Sequence, residues 1–186
     1  MLHEPRAKPK RRRSAALVIV RALSARATTG WLEVGGRAYR CALGRTGRRA
    51  IKREGDGATP IGRFPLRLGL WRADRGRPPV TGLALRPIRA HDGWCDATAD
   101  RNYNRPVRHP YPASAEQMAR ADGLYDLVVI VGYNDRPRQR GRGSAIFMHL
   151  ARPGYEQTAG CVALNERDMR QLLRQLKPGT ELCVPA

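Results

Sequence analysis

Ser144-Ala145-Ile146-Phe147-Met148-His149-Leu150 and, a short loop later, Thr158-Ala159-Gly160-Cys161-Val162-Ala163-Leu164 are the stretches whose reading decides the fold. Each is an apolar run with the length and composition of a strand. Together they deliver one histidine and one cysteine to neighbouring strand ends. That is the minimum equipment for thiol catalysis, because cysteine attacks carbonyls as thiolate and a nearby imidazole takes its proton and returns it to a leaving amine. From spacing alone, a buried structural cysteine with an unrelated histidine fits the same pattern.

Outward from this pair the chain is mostly β. Residues 17–20, 31–34 and 38–43 read as strands, with Gly35-Gly36 as a hairpin turn between the last two. Residues 44–57 are rich in glycine and charge and read as a loop, closed by Thr59-Pro60, where proline keeps its predecessor extended. Residues 64–71 alternate as a strand does, and 127–131 are an apolar run too short for a helix, hence a buried strand. Residues 74–112 hold many Gly, Pro, Asp and Asn and read as a long irregular segment, either a wall of a substrate cleft or a surface insertion packed by Trp94, Tyr103 and Tyr111. Ser114-Ala115-Glu116-Gln117 resembles the start of a capped helix. A second helix is expected after Asn165, with Met169, Leu172, Leu173 and Leu176 on one face and Lys177-Pro178-Gly179 as its stop. Residues 180–184 supply a closing strand.

At 186 residues the chain is expected to be one domain, residues 16–186, preceded by a disordered basic tail, residues 1–15. Lys and Arg number 35 against 16 Asp and Glu, a net charge of +19 carried mainly by arginine. Such a charge favours association with polyanions without choosing among them. No zinc-finger, RRM-like or helix-turn-helix pattern accompanies it. Cys41, Cys95, Cys161 and Cys183 are scattered, without close CxxC spacing. Cys41 and Cys183 read as small core residues. A zinc set from His91, Cys95, His149 and Cys161 departs from the tighter cysteine pairing of common sites, so no metal is expected. The basic cluster at residues 8–13 and the apolar run after it mimic a signal peptide, but the run stops at Arg21 and is too short and β-branched for a secretory core. No stretch approaches the length of a membrane span, and a monomer is expected.

The residues from Thr158 to Cys161 suggest roles by their chemistry. Gly160 lets substrate and backbone N–H groups come close. The Cys161 N–H, with another from residues 158–160, is the expected oxyanion donor, and Thr158 is read as bonding within the motif loop. A third group that orients His149 is expected, and a backbone carbonyl is one option. Trp94, Tyr103, Asn104 and Asn134 lie in polar loops and are candidate substrate contacts, with packing or turn roles as the alternative.

His149 upstream of Thr158, Gly160 and Cys161 resembles the signature of the YkuD-type L,D-transpeptidase family, in which a histidine precedes a Ser/Thr-x-Gly-Cys element. A second block, Lys52-Arg53-Glu54-Gly55-Asp56-Gly57-Ala58-Thr59-Pro60-Ile61-Gly62-Arg63-Phe64, resembles that family's loop before a core strand. Many members carry arginine two positions after the cysteine; here Ala163 stands there, as in a subgroup with Gly-Cys-Val-Ala-Leu. The resemblance covers about residues 16–184. It implies a β-sandwich with the cysteine motif at its open edge and Cys161 as a nucleophile held as thiolate by His149. The implied reaction is acyl transfer between peptidoglycan stem peptides through a thioester, without a cofactor, in the cell wall and therefore the cell envelope. Water as acceptor would make the same residues an L,D-carboxypeptidase or endopeptidase. A basic polyanion-binding module without catalysis is the reading from a different class.

Overall fold

The computed structural model describes residues 16–186; the basic cluster at residues 8–13, and with it the reading of a disordered tail, lies outside the described residues. Strands β1 (Leu17–Arg21), β2 (Thr29–Val34) and β3 (Arg37–Ala42) form an antiparallel meander, its second turn at Gly35-Gly36. A short parallel pairing of β4 (Arg48–Arg49) with β5 (Thr59–Pro60) pinches off the glycine-rich loop between them. The long β6 (Gly62–Trp71) follows, then β7 (Leu85–Pro87), β8 (Asp92–Cys95), β9 (Arg105–Arg108) and β10 (Ala115–Gln117). The chain ends with β11 (Leu127–Val131), β12 (Phe147–Leu150), β13 (Val162–Leu164), the helix α1 (Glu166–Leu173) and β14 (Glu181–Val184).

The main sheet runs β11-β12-β13-β3-β2-β1-β14-β6-β7, and β6 pairs in addition with β11. That pairing closes the strands from β11 round to β6 into a ring, so the expected sandwich is closed along this edge. β6 achieves this by length. Its first half pairs with β14, its second half with β7, and its other edge with β11, where a bulge between Ile130 and Val131 adjusts the register. β8, β9 and β10 form a separate three-stranded sheet.

Two apolar clusters result from strand alternation. Leu127, Val129 and Val131 join Met148 and Leu150 in the main core, which α1 caps with Met169, Leu172 and Leu173. Val128 and Ile130, on the other side of β11, join Phe147, Met118 and Cys161 in a second cluster. β11 is therefore buried on both faces, which is why its sequence is a continuous apolar run rather than an alternation. Each fully buried leucine of this kind contributes about 2 kcal/mol of transfer free energy. α1 begins as expected: the Asn165 side chain accepts the Asp168 N–H at 2.8 Å. Its regular turns end at Leu173, and tighter i→i+3 bonds carry the chain on so that Leu176 completes the apolar stripe.

Three expectations are corrected. The capped helix at Ser114 is strand β10, because residues 115–117 pair with β8 and their ladder outweighs a weak local cap signal. The segment 74–112 is not irregular throughout: it contains β7, β8 and β9, whose Gly, Pro and Asp content hid them. Cys183 is only partly buried, since β14 turns Leu182 and Val184 inward and leaves Cys183 on the alternate face, whereas Cys41 lies in the core as expected.

Candidate active site

Register places the histidine and the cysteine. β12 and β13 are parallel neighbours with His149 opposite Ala163 and Met148 opposite Val162. Along β12, Met148 and Leu150 turn into the main core, which leaves Phe147 and His149 on the other face. Cys161, two residues before Ala163, falls on that same face beside Phe147. His149 and Cys161 are thus diagonal neighbours on one side of the sheet, and both line a cavity of about 350 Å³.

The turn that carries Cys161 is fastened at three levels. Thr158 Oγ1 donates to the Cys161 carbonyl at 2.7 Å and accepts the Gly160 N–H at 3.0 Å. The Thr158 backbone bonds the segment ahead of it, from its N–H to Leu43 O (2.9 Å) and to its carbonyl from Arg45 N–H (2.8 Å). Gly44 in turn bonds Thr59 Oγ1 at 2.9 Å, and a Cβ at Gly44 would come within 2.3 Å of the Gly57 carbonyl. So the two sequence motifs, a hundred residues apart, meet in space. The 52–60 loop is the floor on which the Cys161 turn rests.

Gly160 is the point of closest contact. Its φ is 134°, and a Cβ there would lie 2.7 Å from the Ala58 carbonyl. Gly160→Ala is expected to cost about 2–4 kcal/mol, from a disfavoured φ and a backbone clash together. A urea unfolding midpoint that does not move would show that the turn is looser than this.

The loop below is held by a buried ion pair. Lys52, 3% exposed, meets Asp56 Oδ1 at 2.6 Å. Burial pushes the Asp56 carboxyl up, but Lys52 and the N–H groups of Ala58 and Arg53 outweigh it and hold it below the ordinary value. Glu54, on the cavity wall, accepts from Tyr103 Oη and from Ser144 Oγ, the latter at 2.7 Å.

His149 Nδ1 lies 2.8 Å from the Leu150 carbonyl, which can only accept, so Nδ1 carries the proton and Nε2 holds the free lone pair. The orienting group is thus a backbone carbonyl. Tyr125 packs edge-on against the imidazole at 5.3 Å between ring centres, and its hydroxyl donates to Glu116. Burial pushes His149 down to about 4, although the Leu150 carbonyl works the other way. Cys161 is pushed up to about 12 by burial first and the Glu116 carboxylate second, against a lowering contribution from the Phe147 N–H. Its thiol donates to Ala145 O and accepts from Phe147 N–H, both at 3.3 Å. Neither of these bonds involves His149. Burial thus disfavours both charges and at neutral pH favours thiol and imidazole over the thiolate–imidazolium pair that the resemblance implies.

Of the N–H groups expected as oxyanion donors, some are already bonded. Thr158 and Gly160 N–H are already committed to Leu43 O and Thr158 Oγ1, which leaves Ala159 and Cys161 of the four.

Trp94, Tyr103, Asn104 and Asn134 are not among the residues lining this cavity. Asn104 uses its whole amide internally: Oδ1 accepts from Trp94 Nε1 (2.9 Å) and Ala145 N–H (3.1 Å), and Nδ2 donates to Tyr133 O (3.0 Å) and Asn134 O (2.8 Å). The Asn134 side chain closes its own loop by bonding the backbone of Gln139 and Gly143. Asn104 thereby braces the backbone at Ala145, whose carbonyl receives the thiol, while the Tyr103 hydroxyl is spent on Glu54. Of the residues that do line the cavity, Lys52 belongs to the second sequence block, whereas Tyr125, Glu116, Arg45, Arg120 and Arg152 carried no motif signal, and Glu116 lay in the segment read as helix.

Among the described residues no three His, Cys, Asp or Glu side chains gather as a metal-ligand set, and no helix is long and apolar enough to cross a membrane. Searches of curated proteins and of solved structures gave no match. A family model does match: the L,D-transpeptidase catalytic domain, YkuD, over residues 17–184. That span takes in the β scaffold, the 52–60 loop and the turn of Cys161, and the chain accordingly belongs to the YkuD family of L,D-transpeptidase catalytic domains.

Proposed function

We propose that the protein is a cysteine-dependent peptidoglycan L,D-transpeptidase, with Cys161 as nucleophile and His149 as general base and acid. The observation that carries this reading is the sharing of one sheet face and one cavity by His149 and Cys161, with the imidazole tautomer fixed by Leu150. As Cys161 Sγ attacks the carbonyl of the stem-peptide bond, its proton passes to His149 Nε2. The carbonyl electrons collect on an oxyanion held by the Cys161 and Ala159 N–H groups. The C–N bond then breaks, Nε2 returns the proton to the departing D-alanine amine, and a thioester remains on Cys161. An incoming amine gives a proton to Nε2, attacks the thioester and expels the sulfur, which takes the proton back. Water in place of the amine completes the same cycle as a hydrolysis, so the acceptor alone separates transpeptidase from carboxypeptidase.

A diaminopimelate-containing tetrapeptide stem is expected to release D-alanine and to leave a mass increment on the peptide containing Cys161. An added stem amine is expected to divert product from the free tripeptide to the cross-linked dimer. No acyl-enzyme and no D-alanine release with any stem peptide would refute the reading, whereas release without diversion would reassign the reaction to hydrolysis.

A further inference from the structure

The four cations on the cavity wall are not equivalent. Lys52 is neutralised by Asp56 at 2.6 Å, and Arg120 by Asp122 at 2.5 Å. Arg152 lies between Asp122 at 3.7 Å and Glu156 at 3.8 Å. Arg45 has no carboxylate partner among the described residues, although it lines the same cavity.

Arg45 is nevertheless held in place. Its Nη2 donates to the Gly55 carbonyl at 3.1 Å, and its guanidinium lies against Gly57, where a Cβ would come within 2.8 Å of Cζ. The missing side chain at Gly57 is what lets it lie there. Its backbone N–H bonds Thr158 O, in the turn that presents Cys161. One of its five N–H groups is committed and the planar fork is otherwise free, an arrangement suited to a carboxylate. Nearer the nucleophile, Ala163 lines the wall with no polar group to offer.

We propose that Arg45 anchors a substrate carboxylate beside Cys161, a specificity contact that deepens the stem-peptide reading and rests on it. The carboxylate belongs either to the leaving D-alanine or to the diaminopimelate side chain, and singly amidated peptides tell the two apart. The test uses the Cys161→Ala protein, in which binding is read by calorimetry without turnover. Arg45→Gln on that background is expected to weaken the free acid by about tenfold to a hundredfold, and Arg45→Lys by less. The peptide amidated at the anchored position is expected to bind both proteins equally. Equal affinity of Arg45→Gln and its parent for the free acid overturns the proposal. A second readout needs no stem peptide. With Cys161 intact, the ratio of its alkylation by iodoacetate to that by iodoacetamide, read by peptide mapping, is expected to fall several-fold in Arg45→Gln. Should no stem peptide bind, the stem-peptide reading fails, and this ratio still decides Arg45: an unchanged ratio overturns the anchor.

Discussion

Cys161→Ala is expected to reduce D-alanine release from a tetrapeptide stem by at least about 10⁴-fold, the scale on which nucleophile–base units fail when one member is removed. His149→Ala is expected to fall to a similar level, with little further loss in the double variant, because neither group has a function without the other. The geometry explains why no neighbour substitutes. The cavity holds Ser144, but its hydroxyl is spent on Glu54 at 2.7 Å. Glu116 has its carboxylate bonded by Tyr125, and burial raises it above the ordinary value despite that bond. A rate measurement with thermal melts as a check on folding decides the matter. Turnover within tenfold of the parent in Cys161→Ala would remove the thioester mechanism, and additive losses in the double variant would mean that His149 and Cys161 act at separate steps.

The parts of this site that were legible in the sequence are those written in periodicity and side-chain type. The alternation of β1, β2, β3 and β6, the apolar run of β11 and the leucine stripe of α1 report directly on which face meets a core. His149 and Cys161 stood out because few residue types do nucleophilic chemistry. What stayed hidden is carried by backbone groups and by long-range pairing. The Leu150 carbonyl that fixes the His149 tautomer has no side-chain signature. β8, β9 and β10 are only three or four residues long and carry Asp, Gly, Pro, Ala and Glu, residues of weak strand preference, and are strands because they pair with each other. Glu116 was lost with them. Asn104 misled for a related reason: a polar residue in a loop looks like a ligand contact until its four hydrogen bonds are found inside the protein.

The resting protonation of the pair leads to the second large effect. A thiol at its ordinary value of 9.0 is a few per cent thiolate at pH 7.5, and one pushed up to about 12 is lower in thiolate by about a thousandfold. Iodoacetamide at pH 7.5 is therefore expected to modify Cys161 about a thousandfold more slowly than an unperturbed thiol. Cys41, also pushed up to about 12 by burial, lies in the core, and burial raises Cys95 too. Cys183, partly exposed on β14, is expected to react first. The sign follows from the thiolate being the reactive form: alkylation of Cys161 rises about tenfold per pH unit up to about 12. His149, pushed down to about 4, is neutral throughout that range, so His149→Ala is expected to change the resting alkylation rate by no more than about twofold while abolishing turnover. These two results together separate a base that acts during attack from a base that stores a thiolate beforehand. Peptide mapping after timed alkylation measures both. Rapid labelling of Cys161 at pH 7.5 that disappears in His149→Ala would establish a preformed ion pair, and the thiol's bond to Ala145 O would then not describe the reactive state. Slow labelling with full turnover means instead that the arriving carbonyl draws the thiol away from Ala145 toward Nε2, so that the nucleophile is charged only while a substrate is there to receive it.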